Sequence, residues 1–492
     1  MKDKNRFSIL LEQLMTTSEL KNYTLAQELR YDVSYISKWV SGRMLPAEKI
    51  SDSVLRGISH CIVTTASEKN LNTLFLDYQV FTPSDVEEAI YDNLVAEYNY
   101  VKNLTKSMGT DIAPKTLNFS ELTLPGFISK MQHPSLRRVK SLDVVAAMDL
   151  LSMDREYRLQ IAQMANEHLT IKRDFPEVRF SLLVNLEIGD RDYIYDAIFL
   201  INMLTNFSHI NFQLYGGVEA YGKIVFVAKD AYSISGMLYD SNQCISVTVS
   251  EEKDICKTLY NRTKALYNRE MLLFLKVSME NMLSGYDYLQ SLLSTNLRWL
   301  LGRMTEHFIP DDLFEDILDG ISEKDETKVD IEKLRLAHSL TKSIFNESEI
   351  QIMVYESAFT NFAVSGELDF YNHKIILTTA QRLRYMKYVL SLFEKDTVMK
   401  IKMIHGTFVT DYQYITNPCL FLSDGICYMR LNNENFQNNV FMLNGIPIKD
   451  LFEKFYEESW NYQNDIVVED RKSICETLNH VIQSINFLSK IE

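Results

Sequence analysis

Proline and glycine are scarce in this sequence, with 9 and 16 copies. Long Pro/Gly-rich linkers are therefore excluded, and the domains are expected to join through helices or short loops. The six cysteines (Cys61, Cys244, Cys256, Cys419, Cys427 and Cys475) are scattered and contain no CxxC. That pattern suits neither a disulfide framework nor a zinc site. No stretch reaches ~20 apolar residues without charges, so no membrane span is expected. The opening MKDKNRFSILLEQL lacks the apolar run and cleavage signature of a signal peptide, and a cytoplasmic location follows as the expectation. There is no GxxxxGKS/T loop, no GxGxxG and no HExxH, and the nine histidines form no metal-spaced cluster. The sequence thus calls for no metal, no cofactor and no catalytic residue. His405, beside Gly406 at a strand end, is the nearest approach to one. Asp190, Asp192, Asp230 and Asp240 read as solvated loop carboxylates.

What is present is globular: 46% hydrophobic and 24% charged residues over 492 positions, enough for three or four domains. The net charge of -15 argues against a nucleic-acid partner until its distribution is considered. Residues 1–60 hold nine basic and seven acidic side chains, a net of +2, so the remainder carries -17. Any contact with DNA phosphate is then confined to the N-terminal end.

Phe7, Leu10, Leu11 and Leu14 recur at helical spacing and predict a first helix over about 5–14. Leu25, Ala26 and Leu29 mark a second helix, capped by Asn22, or by Thr24 with Gln27 completing a capping box. Asp32 is placed to cap a third helix, Val33 to about Val40, in which Ile36, Trp39 and Val40 pack inward. Gly42 ends it. A fourth helix starts near Pro46 and turns Ile50, Val54 and Ile58 inward.

The order of residue types in this stretch, Leu25-Ala26-Gln27-Glu28-Leu29-Arg30-Tyr31-Asp32-Val33-Ser34-Tyr35-Ile36-Ser37-Lys38-Trp39 followed by Gly42 and Pro46, resembles the Cro/CI-type (XRE) helix-turn-helix family. The likeness covers about residues 5–60. It implies a recognition helix in the major groove, with Val33, Ser34 and Lys38 facing base edges and Ser37, Arg43 and Lys49 near the backbone. Leu25, Ala26, Leu29, Asp32, Ile36, Trp39 and Gly42 would be its structural residues. Two positions depart from the family: Arg30 stands at the turn glycine and Val40 at a usually acidic site. A left-handed backbone at Arg30 costs about 1 kcal/mol relative to glycine.

Beyond residue 60 the periodicities predict a helical connector (63–175), including a helix capped by Thr82 with Pro83 at its first position and Val86, Ile90, Leu94 and Tyr98 turned inward, a loop over 108–126, and helices over 136–151 and 155–168. A mixed α/β region (176–270), a helical segment (271–346) and a second mixed region with C-terminal helices (347–492) follow. The expected fold class is multidomain: an all-α helix-turn-helix N-terminal domain, a helical connector, then two mixed α/β or α+β regions. Ile210–Gly216 and Ile401–Gly406 share a grammar that a diverged duplication of those regions would produce.

These features point to a sequence-specific DNA-binding transcriptional regulator. Its partners would be double-stranded DNA and a second copy of itself, with a large C-terminal portion for dimerisation and for sensing a small-molecule or peptide effector. An enzyme fused to a helix-turn-helix module and a protein-interaction scaffold are the alternatives.

Overall fold

The computed structural model describes residues 5–78, 80, 82–107, 116–131, 141–163, 177–187, 191–208, 210–322, 331–395, 399–409, 417–431, 439–462 and 466–490. The chain divides into two compact units, Met1–Leu117 with Glu167–Asp174, and Asn118–Asn166 with Phe175–Glu492.

The described part of the first unit is built from α1 (Arg6–Thr17), α2 (Asn22–Leu29), α3 (Val33–Val40), α4 (Ser51–Thr65), α5 (Glu68–Tyr78) and α6 (Pro83–Ser107). One apolar core runs through it, from Phe7, Leu11 and Leu14 to Val86, Ile90, Leu94 and Tyr98. The stripe predicted for α6 thus packs on the first helices. Asn5 caps α1 by accepting from the Ser8 amide at 2.9 Å, and its own side-chain amide donates to the Gly42 carbonyl at 3.1 Å. Gly42 has φ +73, and a Cβ there would lie 3.0 Å from the Asn5 nitrogen, so glycine is required twice over. Arg6 and Glu97, both buried, form a two-pronged ion pair at 2.6 and 2.9 Å that ties α1 to α6. Thr82 caps α6 through the Asp85 amide.

In the second unit β1 (Thr116–Thr123), β2 (Ser141–Met148), β3 (Glu177–Val184), β4 (Asn211–Gly216), β5 (Lys223–Ala228), β6 (Tyr232–Leu238) and β7 (Gln243–Ser250) make one sheet, in the order β1-β7-β6-β5-β2-β3-β4. Strands β8 (Phe274–Ser278), β9 (Leu297–Leu301), β10 (Ile350–Tyr355), β13 (Lys400–Ile404), β14 (Cys419–Leu422), β15 (Tyr428–Arg430), β16 (Asn439–Leu443) and β17 (Val467–Val468) make a second. Its order is β17-β13-β10-β9-β14-β15-β16-β8, and β11 (Glu367–Phe370) and β12 (His373–Ile376) form a separate hairpin. In each sheet three parallel strands, β2-β3-β4 and β9-β10-β13, adjoin an antiparallel run. Read from β4 and from β13, seven positions follow in the same order, and β4 and β13 hold the Ile210–Gly216 and Ile401–Gly406 segments. The central strands β9 and β10 are buried at almost every position, as cover on both faces demands, while the outer parallel strands β4 and β13 expose Asn211, Gln213 and Lys400.

The fold class expected from the sequence is corrected. The chain is not an all-α helix-turn-helix domain leading through helices into two mixed regions. It is organised around two large mixed α/β sheets of seven and eight strands, and these recruit segments assigned to helix. Ser141–Met148 is a central strand inside the supposed connector, and Thr116–Thr123 is an edge strand inside the supposed loop. Within 271–346, Phe274–Ser278 and Leu297–Leu301 are strands, with two short helices, Met279–Ser284 and Asp287–Leu293, between them. The reason is tertiary. A continuous apolar run such as Val144 to Met148 carries no period of its own, and pairing on both edges decides it. The helix expected over 155–168 spans Arg155–Gln163, with its remainder outside the described residues, as are 132–140 and 108–115.

Candidate functional site

Two places collect polar side chains. The first is the outer face of α3. Asp32 accepts from the Ser34 amide at 2.8 Å, and these hydrogen bonds from Ser34, with Lys38 nearby, hold its carboxyl below the ordinary value. Arg30 is left-handed, with φ 57 and ψ 41, so the backbone strain expected at this departure is present. Neither Asn22 nor Thr24 caps α2; Lys21 stands at its N-cap without a side-chain bond. The Asn22 amide instead lies 3.5 Å from the Ser37 hydroxyl across the two helices.

Leu25, Ala26, Ile36 and Trp39 are buried, while Leu29 is partly buried and touches Gly57. Val33, Ser34, Ser37 and Lys38 are exposed on α3, and Arg43 and Lys49 are exposed after it. The Lys38 ammonium lies 5.5 Å from the Tyr35 ring centroid, and Tyr35 stacks edge-on against Tyr31, which in turn meets Trp39. Tyr35 and Tyr23, which is 66% exposed, extend this surface beyond the residues assigned from sequence. The signal for them was available, because each is an aromatic at an outward helical position.

The second place is the carboxyl end of β9, β10 and β13, where open α/β sheets usually carry ligands. His405 follows β13 and Glu356 follows β10, and the imidazole Nδ1 lies 2.5 Å from the Glu356 carboxylate. Both side chains are more than a third exposed. The His405 amide donates to the Ile466 carbonyl at 2.7 Å, and Gly406 opens space beside the ring. Next to Glu356, the Ser357 hydroxyl accepts from the Asn417 amide at 3.2 Å. Gly302, after β9, lets the Asn417 backbone approach so closely that a Cβ would sit 2.1 Å from its carbonyl oxygen.

Deeper at this end lies an ionic cluster that the sequence did not announce, with Glu306, Asp369 and Arg430 buried and Arg303 partly so. Arg430 holds Glu306 through both guanidinium prongs at 2.7 and 2.9 Å. Asp369 takes Arg303 at 2.7 and 2.8 Å and the Asn372 amide at 2.7 Å. Tyr288 donates to Glu306 at 2.7 Å, and its oxygen lies 3.1 Å from His307 Nε2. Desolvation works against the Glu306 charge, but Arg430, His307 and Tyr288 outweigh it and bring its pKa down to about 2. Burial lowers His307 to about 4 against the opposing pull of Glu306, so the ring is neutral near pH 7. Tyr371 and Asn372 have positive φ at the β11–β12 turn, and the cluster pins that turn to the sheet. Its members come from four separated segments, 288, 303–307, 369–372 and 430, so no local spacing marks it.

The loop aspartates do not assemble into a described site. Asp192 caps the helix Tyr193–Asn206 and pairs with Arg155. Asp230 and Asp240 sit in turns, and Asp190 lies outside the described residues. Among the described residues no group of three or more His, Cys, Asp or Glu side chains is arranged to hold a metal ion, and no helix is long and apolar enough to cross a membrane.

The fold and the two places define a mixed α/β protein with two large sheets and a separate helical unit. No protein-family model and no curated protein matches this sequence. Among solved structures, phosphatidylserine synthase of Haemophilus influenzae Rd KW20 is similar at 9% identity, over 77% of this chain and 93% of that one, with a TM-score of 0.27. A likeness of that size carries no argument about function.

Proposed function

We propose that this chain binds double-stranded DNA in a sequence-specific way through α3 and acts as a cytoplasmic transcriptional regulator. The observation that carries this reading is the division of α3. Ile36 and Trp39 are buried, while Val33, Ser34, Ser37 and Lys38 form an exposed, mostly polar strip flanked by Arg43 and Lys49. A helix held this way on a second helix presents a strip narrow enough for the major groove. In this reading Val33 meets a thymine methyl, Ser34 a base edge, and Lys38 guanine acceptors or a phosphate. The larger unit supplies self-association and the response to a small-molecule or peptide effector.

The test is selection of bound fragments from random DNA, followed by titration against salt. Ser34→Ala with Lys38→Ala is expected to weaken the selected site roughly tenfold or more and to flatten the log-affinity against log-salt slope by about one. Unchanged affinity in the double variant would remove α3 from the interface.

A second reading, an enzyme joined to the helical unit, is favoured by the His405–Glu356 pair alone. A carboxylate on Nδ1 orients the ring and leaves Nε2 to accept a proton from water or a hydroxyl. Hydrolysis of p-nitrophenyl acetate or of bis-p-nitrophenyl phosphate measures this directly. Turnover that drops about a hundredfold or more in both His405→Ala and Glu356→Gln supports it; turnover that survives His405→Ala rejects it.

A further inference from the structure

The antiparallel ribbon β5–β6 leaves one face half covered. Lys223 pairs with Met237, Val225 with Ser235 and Val227 with Ser233, so these residues share a face. At one end of that face the helix Lys253–Lys264 packs down, with Tyr260 on Val227 and Val145, and with Cys256 against Ser233. At the other end the Leu238 amide donates to the Gly222 carbonyl beyond the last rung, so Tyr221 and Tyr239 flank the ribbon at the end where Lys223 and Met237 pair. Here Tyr221 is 71% exposed, Tyr239 70%, Met237 56%, and Val218 in the preceding turn 51%. In the second sheet β14 and β15, which hold the matching positions, are buried along their whole length.

We propose that this end of the first sheet is where two copies of the chain associate through a two-fold contact. With 71% and 70% of their surfaces exposed, the two tyrosines alone offer roughly 200–350 Å², taking about 150–250 Å² per aromatic side chain. With Met237 and Val218 the patch reaches the size of an interface core, against the ~800 Å² that each partner normally buries. Tyrosine and methionine are the types enriched in such cores. The rim has charges of both signs, exposed Glu219 and Asp240 beside exposed Lys223. A two-fold contact needs that self-complementarity, because it sets one patch against itself. The mixed rim also disfavours an anionic membrane surface. The functional part of this proposal rests on the DNA reading above: a single short helix supplies few base contacts, and a pair of them reads two half-sites.

The test uses the full chain without DNA. Sedimentation equilibrium is expected to give twice the 57.3 kDa chain mass. The variant Tyr221→Ser, Met237→Ser, Tyr239→Ser should dissociate at roughly hundredfold higher concentration or more, with unchanged circular dichroism and melting, since these side chains are exposed. Wild-type chain of single mass at its highest soluble concentration overturns the proposal. So does a triple variant that remains dimeric, or a single-mass chain that floats with phosphatidylcholine vesicles. A wild-type dimer that dissociates in the variant yet binds no DNA would leave the interface standing and refute the DNA reading. In the converse case, half-site affinity survives in the variant while tight binding to the paired site is lost.

Discussion

Arg430→Met is expected to destabilise the larger unit by about 3–5 kcal/mol, the usual cost of breaking one side of a buried ion pair. The guanidinium is wholly buried and satisfies both oxygens of Glu306. Removing it leaves a buried carboxylate with the Tyr288 hydroxyl and the Tyr371 amide as its remaining donors among the described residues. Desolvation would then push the Glu306 carboxyl upward, and the unit would gain stability as the pH is lowered enough to protonate it. Replacing both partners at once, Glu306→Leu with Arg430→Met, should cost less than Arg430→Met alone, because the desolvation penalty disappears with the charges. Urea unfolding of the three variants measures the order. If the double variant is the less stable, attraction within the pair outweighs its desolvation, and this account of the cluster fails.

Acid is expected to weaken the same region in two stages. His307 is neutral in the folded chain down to about pH 4, against an ordinary value of 6.5. Between those values the unfolded chain takes up a proton that the folded chain refuses. Stability is therefore complete above about pH 6.5 and declines toward pH 4, by about 3 kcal/mol for a shift of this size. Glu306 acts next. Its ordinary value is 4.5 and its folded value about 2, so the stability its charge contributes is lost as the pH falls from 4.5 through 2. The Trp299 ring lies 4.5 Å from the His307 ring and reports on the site by fluorescence. His307→Gln should flatten the pH 6.5 to 4 portion of the unfolding profile and leave the lower portion in place. A profile unchanged by that substitution would show that other groups govern the acid response.

How much could be read without the structure depended on how local each cause was. The first three helices, the Asp32 and Thr82 caps and the Gly42 stop were legible, because each follows from neighbours within about four residues; the left-handed Arg30 was implied by the family resemblance. The inward stripe of α6 was legible too, although its partner was not: Arg6 and Glu97 are 91 positions apart. The α2 cap was misplaced because three polar residues compete at that end, and spacing does not choose among them. At the α3 face the sequence named Val33, Ser34, Ser37 and Lys38 but passed over Tyr35, which lies under the Lys38 ammonium.

In the larger unit His405 was noticed only as a lone histidine at a strand end. Its carboxylate partner, 49 positions away, emerged when β10 and β13 paired. The sequence by itself determined the first three helices, the placing of positive charge at one end, and an exposed strip on α3, whereas the fourth helix starts at Ser51 and leaves Ile50, expected inward, exposed. Only the tertiary structure decided that Ser141–Met148, Phe274–Ser278 and Leu297–Leu301 are strands, that the strands form two sheets, and that Glu306, Asp369 and Arg430 meet. The physical reason is the range of the forces. Helix periodicity and capping are settled within a turn or two, whereas a fully apolar strand and a buried ion pair acquire their identity only from partners that folding brings to them.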